Sequence, residues 1–277
     1  MSTGHVLLLG AVAGVTIFFG LPLGRLRSFD LRARACLSAV ATGILLFLLW
    51  DVLSGGVEPV ESALTAHHWG RFAWLAFLLA GGFALGLMGL VHYDDWMARQ
   101  RRTHLVGPGA AAVDEYTHRA PLEGMSAGSR LALLIAIGIG VHNFAEGLAI
   151  GQSAAAGDIA LAVTLIVGFA LHNATEGFGI VGPMGAEGEL PSWRFLGLLG
   201  LIGGGPTFLG TVVGQAWVSD ALAVAFLAVA GGSILYVVMQ LFHVNRRFGH
   251  PRLVMWSVFG GLVLGFATVF VIEAAGV

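Results

Sequence analysis

Charged residues are scarce in this chain, and lysine is absent. Only 11% of the 277 residues are charged, and all 14 basic residues are arginine. Soluble globular domains carry about a quarter charged residues, so this composition excludes an ordinary soluble fold. The single cysteine, Cys36, excludes an internal disulfide. The net charge of −2 says little about partners, and no nucleic-acid partner is expected.

Apolar residues make up 57% of the chain and occur in long blocks. These blocks are roughly 18 to 25 residues long, the length that a helix needs to cross a hydrocarbon core of about 30 Å. Small residues inside them, as in Gly82-x-x-x-Gly86 and Gly261-x-x-x-Gly265, let membrane helices approach closely. The pattern predicts an all-α fold, a polytopic membrane helix bundle in a lipid bilayer.

Eight transmembrane helices are predicted within a single transmembrane domain, residues 1–277. The spans are expected at about 4–24, 35–53, 70–92, 130–151, 158–182, 193–217, 220–242 and 253–274. The long connection, residues 93–129, is predicted to be a cytosolic loop. It is either a solvated linker or a weak metal-binding segment, since it contains His104 and His118 among several carboxylates.

Arginine is distributed unevenly between the two sides of the predicted bundle. Thirteen of the 14 arginines fall in the connections of one side, and Arg71 alone lies on the other. Because cytoplasmic connections are enriched in basic residues, both termini are predicted to be extracytoplasmic. The absence of Lys and the abundance of Gly, Ala and Arg are typical of a protein from a GC-rich bacterial genome. The membrane would then be a bacterial inner membrane.

Two copies of an H-N-x-x-E-G motif stand out in the fourth and fifth spans. They occupy residues 142–147 and 172–177, an offset of 30 residues. On a helix, positions i and i+4 lie on one face, so each His is expected above its own Glu, with the Asn beside them. The candidate metal ligands are His142, Asn143, Glu146, His172, Asn173 and Glu176.

The cost of burying these groups in a bilayer makes them informative. An ionised carboxylate in the membrane interior is costly unless it is paired or coordinated. Glu146 and Glu176 have no basic residue within the apolar part of their own spans. A divalent cation would neutralise them, and imidazole and carboxylate ligands suit zinc, iron(II) and similar metals. The alternative is that each His only hydrogen-bonds its own Glu, an arrangement that the duplication of the motif disfavours.

The two motifs resemble the fourth- and fifth-helix signatures of the ZIP (Zrt/Irt-like protein) family of metal transporters. The resemblance implies eight spans with both ends outside and a transport site formed by the six candidate ligands. It also implies alternating access, in which the helices that carry the metal move against the remainder. The metal, Zn²⁺ and also Fe²⁺, Mn²⁺ or Cd²⁺, would then be a substrate moved into the cytoplasm. No cofactor, catalytic residue or enzymatic activity is expected.

The chain departs from the family pattern at several positions. Ala145 and Thr175 stand where the family usually has proline before each Glu, and the glycines after each Glu are expected to supply part of the missing flexibility. Gly205 precedes Pro206 where many members have a glutamate that binds a second metal. We therefore expect one well-formed metal site and a second that is weaker or absent.

Two other classes of function are compatible with metal in a membrane helix bundle. An intramembrane zinc hydrolase would need an open coordination position and a general base, and the chain has no H-E-x-x-H motif. A metal-sensing membrane protein would need only a metal-binding site, with no open coordination position and no general base. Polar groups near mid-membrane that are flanked by glycines favour transport over both.

Other polar residues in the spans have two interpretations. Asp51 is placed to guard an entry route, Gln152 to line the pathway, and Gln240 and His243 to mark an exit. Each is equally placed to cap a helix or to face lipid headgroups. The glycine-rich faces would also permit a homodimer.

Overall fold

The computed structural model describes residues 3–25, 30–102, 125–157, 159–186 and 190–274. All regular structure in these ranges is helical, which confirms the all-α prediction for the described part of the chain. The helices are α1 (Thr3–Val15), α2 (Ile17–Gly20), a 3₁₀ turn (Leu21–Arg25), α3 (Leu31–Thr65), α4 (Trp69–Arg102), α5 (Ala127–Ala155), α6 (Ile159–Ala186), α7 (Trp193–Ala216), α8 (Asp220–Arg247) and α9 (Pro251–Ala274).

Seven of the described helical segments are long and apolar enough to cross a membrane. The first combines α1, α2 and the 3₁₀ turn over Gly4–Arg25, and the others belong to α3, α4, α5, α7, α8 and α9. The fifth predicted span, 158–182, falls on α6, which is 28 residues long. Its role as an eighth span stays a prediction.

Two helices run well past the ends of their predicted spans. Glu58 and Glu61, expected in a connecting loop, lie inside α3, which also contains Pro59. A small apolar cluster holds this extension of α3 against α4 and α8, and its buried members are Val60, Ala63, Leu75 and Val224. The second of these helices, α4, continues beyond its predicted span to Arg102, so the first ten residues of the expected 93–129 loop are helical. His104 and His118 lie outside the described residues.

The helices pack in two groups that meet where α5 packs against α8 and where α3 packs against α6. In the first, α3 packs against α9 and α8, and α8 packs against α4. In the second, α5 packs against α7 and α6, while α1 and α2 contact α6 and α7. The helices that carry the two motifs, α5 and α6, therefore lie side by side within the second group.

Glycines set the closest approaches within the first group. A Cβ atom at Gly86 of α4 would overlap the carbonyl oxygen of Val229 on α8. Likewise, a Cβ atom at Gly261 of α9 would overlap the carbonyl oxygen of Val40 on α3. The close helix contacts predicted from the two G-x-x-x-G patterns are thus confirmed, because only the absence of a side chain permits such contact.

The glycines that follow the two motif glutamates also serve as packing contacts. A Cβ at Gly147 of α5 would overlap the carbonyl oxygen of Thr207 on α7, and one at Gly210 of α7 would overlap that of Phe144 on α5. Gly177 of α6 lies equally close to Gly20 of α2. Both motif helices are continuous through these positions, where the glycines make backbone-to-backbone contacts with neighbouring helices.

Candidate metal centre

Three of the predicted ligands come together between α5 and α6. Ligand atoms of His142, Glu146 and His172 all lie within 4.8 Å of one another. The side chain of His142 is 1% exposed and that of Glu146 is 4% exposed, whereas His172 retains 12%. The cluster is therefore almost sealed within the protein, with His172 as its most accessible member.

The shared oxygen of this cluster is Glu146 Oε1. It lies 2.9 Å from Nε2 of His142 and 2.5 Å from Nε2 of His172. Glu176 Oε1 lies 3.7 Å from Nε2 of His142. The expected contact of each His with its own Glu is confirmed for His142 and Glu146. In the second motif it is not found, because α6 presents His172 to the glutamate of α5. The i, i+4 spacing determines which residues share a face and leaves open how two faces are turned toward each other.

The carboxylates of the cluster are poorly satisfied by the protein. Among the described residues, Glu146 Oε2 and both oxygens of Glu176 have no hydrogen-bond partner although they are buried. Their ion-pair partners in the described part of the chain are the two histidines, with no arginine among them. A buried polar atom without a partner costs about 1–3 kcal/mol. This donor set fits a divalent cation, which would use these oxygens and supply the opposing charge.

Both motif asparagines bind the main chain of a neighbouring helix. Asn143 Nδ2 donates to the carbonyl oxygen of Gly203 on α7 at 2.9 Å, and Asn173 Nδ2 donates to that of Ala13 on α1 at 3.2 Å. Because a carbonyl can only accept, the amide nitrogen must face it. Each Oδ1 is left buried, without a hydrogen-bond partner in the described ranges. The asparagines thus join the site helices to α7 and α1 while keeping an oxygen available.

Ala13 lies at an interruption in the first span. The carbonyl of Ala13 accepts the hydroxyl of Thr16 at 2.6 Å, and Thr16 separates α1 from α2. Asn173 supplies a further donor to the same carbonyl. The site helix α6 is therefore anchored where α1 departs from regular helix geometry.

An aromatic ring packs against the more accessible histidine. The ring centroids of Phe169 and His172 are 5.4 Å apart, and the angle between the two ring planes is 59°. The two imidazole rings are 6.2 Å apart. Sequence reasoning missed Phe169, although its position three residues before His172 places it on the same face of α6. Its contact restricts the orientation of the His172 ring.

Two of the other polar candidates are engaged away from the cluster. Gln240 Nε2 donates to the hydroxyl of Tyr236 at 2.9 Å, and that hydroxyl donates to Asp94 Oδ2 of α4 at 2.9 Å. His243 Nε2 lies 3.2 Å from the guanidinium of Arg247 on the same helix. These contacts join α8 to α4 or lie along α8 itself, so the structure does not bring Gln240 and His243 to the metal centre.

Asp51 and Gln152 differ in their relation to the cluster. The Asp51 carboxylate of α3 interacts electrostatically with His172, His142 and Glu146. Gln152 Nε2 donates to the carbonyl of Trp217 at 3.2 Å and so ties the end of α5 to the segment after α7. Asp51 therefore lies within electrostatic range of three of the predicted ligands.

The position of Gly205 bears on the expected second metal. A Cβ at Gly205 would contact only Leu201 of its own helix, whereas one at Gly203 would meet Ile17, Ile139 and Ile180. Residue 205 therefore faces away from the α2, α5 and α6 contacts of α7. The side chain of a glutamate at position 205 would therefore leave α7 on the side that faces away from α5 and α6.

Comparison with known proteins extends these observations. The model of a family described as ZIP zinc transporter matches residues 97–273, more than half of the chain. The matched segment includes both H-N-x-x-E-G motifs and α5 through α8. No match was found among curated proteins.

Proposed function

Because this chain belongs to the ZIP zinc transporter family, and is thus a membrane transporter of divalent metals, we propose that it carries Zn²⁺ into the cytoplasm through the His142, Glu146, His172 and Glu176 cluster. Fe²⁺, Mn²⁺ and Cd²⁺ are further candidate substrates, since these ligands discriminate weakly among such metals. The observation that carries the proposal is the convergence of three ligand groups from two helices within 4.8 Å.

The charge of the cluster supports a divalent cargo. Metal coordination requires neutral imidazoles and ionised carboxylates. In that state the two glutamates would carry a charge of about −2, which one divalent ion would neutralise. Zinc is commonly held by imidazole nitrogen and carboxylate oxygen at about 2.0–2.2 Å. The present spacing, with one carboxylate oxygen 2.5 Å and 2.9 Å from two imidazole nitrogens, would need only small side-chain movements to admit an ion.

Alternating access is the mechanism implied by the family, and the packing of the helices is compatible with it. In our proposal the group of α1, α5, α6 and α7 carries the metal past the group of α3, α4, α8 and α9. The contact between α3 and α6 includes small residues at two points, where Gly179 lies opposite Ala41 and Gly182 lies opposite Ser38.

The proposed orientation places both termini outside and the arginine-rich connections in the cytoplasm of a bacterial cell. Two exposed positions at opposite ends of α8 test it: Val218 just before the helix and Arg246 in its last turn. In a chain with Cys36 replaced by serine, we expect Val218→Cys to react with an impermeant maleimide in intact cells. Arg246→Cys should react only after permeabilisation, and the reverse pattern would contradict the orientation.

Transport itself is tested with purified protein in proteoliposomes. We expect an inward zinc gradient to drive uptake well above that of protein-free vesicles, with iron(II), manganese and cadmium competing. His142→Ala should reduce uptake to the vesicle background. If the protein binds zinc but moves none under a gradient, the transport proposal is wrong and a sensor remains.

Neither alternative class has specific support. ZIP family members are transporters, and the two histidines and two glutamates are all used as ligands in our proposal, which leaves none as a general base for a hydrolase. A homodimer belongs to the proposal as well. Gly81 and Gly89 of α4 face open space, where a second copy would find a close-packing surface.

A further inference from the structure

The hydroxyl of Thr207 is an unusual group in the middle of α7. Thr207 is 0% exposed, and its Oγ1 has no hydrogen-bond partner among the residues that the structure describes. Buried polar groups in proteins are nearly always hydrogen-bonded, so each exception calls for an explanation. Thr207 also lies outside the six ligands predicted from the motifs.

Other hydroxyls in these helices show what Thr207 would ordinarily do. Three of them donate to the carbonyl four residues earlier at 2.8–2.9 Å, namely Thr42, Thr211 and Ser233. For Thr207 that carbonyl belongs to Gly203, which instead accepts Asn143 Nδ2 at 2.9 Å. The carbonyl that the Thr207 hydroxyl would ordinarily use is therefore already engaged by the site asparagine.

The surroundings of Thr207 place it against the site helices. Its carbonyl oxygen lies against Gly147, the residue that follows Glu146 on α5, and its Cβ is 3.2 Å from the position of a Cβ at Gly14 on α1. One turn earlier, Gly203 holds Asn143, whose amide lies beside the Glu176 carboxylate. Thr207 thus packs between α1 and α5, against the residue that follows Glu146 and one turn from the carbonyl that Asn143 binds.

We propose that Thr207 is a ligand of the transported metal and contributes its hydroxyl oxygen from α7. The proposal rests on the transport function proposed above and adds a third helix to the site. Asn143 Oδ1, which is also buried and lacks a partner in the described ranges, offers a second uncharged oxygen on the same side. Since Gly205 faces away from this region, Thr207 is the residue through which α7 reaches the metal.

Two isosteric substitutions test the proposal. Thr207→Val removes the hydroxyl and keeps the shape, and Thr211→Val does the same one turn along α7, where the hydroxyl bonds the Thr207 carbonyl. We expect Thr207→Val to weaken zinc binding about tenfold, the effect of losing one supporting group at a metal site. The thermal midpoint of the metal-free protein should not fall, because the lost hydroxyl had no partner. Thr211→Val should lower that midpoint and leave zinc affinity unchanged.

Thr207→Ser completes the design, since it keeps the hydroxyl and removes the methyl group. Zinc affinity close to that of the wild type is expected, measured by chelator competition on the full chain in detergent. The proposal is overturned if Thr207→Val binds zinc like the wild type, or if the serine and valine variants lose affinity equally. The Glu146→Gln variant distinguishes a failure of the proposed role of Thr207 from a failure of the proposed metal site. If it loses binding while Thr207→Val does not, only the role of Thr207 fails, whereas unchanged binding in Glu146→Gln would refute the site itself.

Discussion

Replacement of Glu146 by glutamine is expected to weaken zinc binding by more than about 100-fold, since loss of an outer-shell partner alone costs about 10–100-fold. The Oε1 atom of Glu146 lies 2.9 Å from His142 Nε2 and 2.5 Å from His172 Nε2, so it is the one oxygen in contact with both imidazoles. Glutamine keeps the shape of the side chain and removes the charge. Chelator competition and uptake into proteoliposomes should fall together.

The control for this substitution is Glu58→Gln. Glu58 is an exposed carboxylate on α3, and its loss changes the total charge by the same amount without touching the cluster. Zinc affinity and uptake should stay at the wild-type level in this variant. Equal losses in Glu58→Gln and Glu146→Gln would show that overall charge, and not coordination by Glu146, governs binding.

A second large effect is expected at the contact between α5 and α7. Gly210→Ala would bring a Cβ atom onto the carbonyl oxygen of Phe144 and within 2.8 Å of Leu148 N. Backbone atoms cannot turn away as a side chain can, so α7 must move, and overpacking of this kind costs about 1–3 kcal/mol. The shift would also stretch the bond from Asn143 to Gly203. We expect a lower thermal midpoint together with weaker zinc binding.

The same helix supplies a matched control. A Cβ at Gly197 of α7 would have no neighbour within 4 Å among the described residues. Gly197→Ala is therefore expected to leave zinc binding unchanged and to stabilise the protein slightly, by about 0.5–1 kcal/mol, because alanine favours a helix. A Gly210→Ala protein as stable as Gly197→Ala would contradict the close contact between α5 and α7.

The helices were largely predictable from the sequence, and their ends were less so. Apolar length predicts where helices cross a membrane, because the bilayer sets that length. The predicted span ends at about residue 53, yet α3 continues to Thr65 through Gly55, Gly56 and Pro59, residues that disfavour a helix interior. Packing of Val60 and Ala63 against α4 and α8 outweighs the local signals, and such tertiary contacts are invisible in a single segment.

The site was predictable as a set of residues and unpredictable as an arrangement. The repeated motif identifies His142, Glu146 and His172, which do meet in the structure. The pairing of His172 with Glu146 depends on how α5 and α6 are rotated about their axes, and helical periodicity does not specify this. The sequence alone could not identify Thr207 as a site residue, for a similar reason. The carbonyl that its hydroxyl would ordinarily use, that of Gly203, is engaged by Asn143, which lies 64 positions earlier in the sequence.

The central claim, that the transported ion touches this cluster, is tested most directly by changing the chemistry of one ligand and measuring which metal is transported. His172→Cys, in a chain with Cys36 replaced by serine, exchanges an imidazole nitrogen for a soft thiolate sulfur. Thiolate favours soft cations over manganese, which prefers oxygen ligands. Uptake of cadmium relative to manganese should therefore rise above that of the Cys36→Ser parent. Equal loss of both uptakes with an unchanged ratio would contradict the claim, because His172 would then support the fold without contacting the ion.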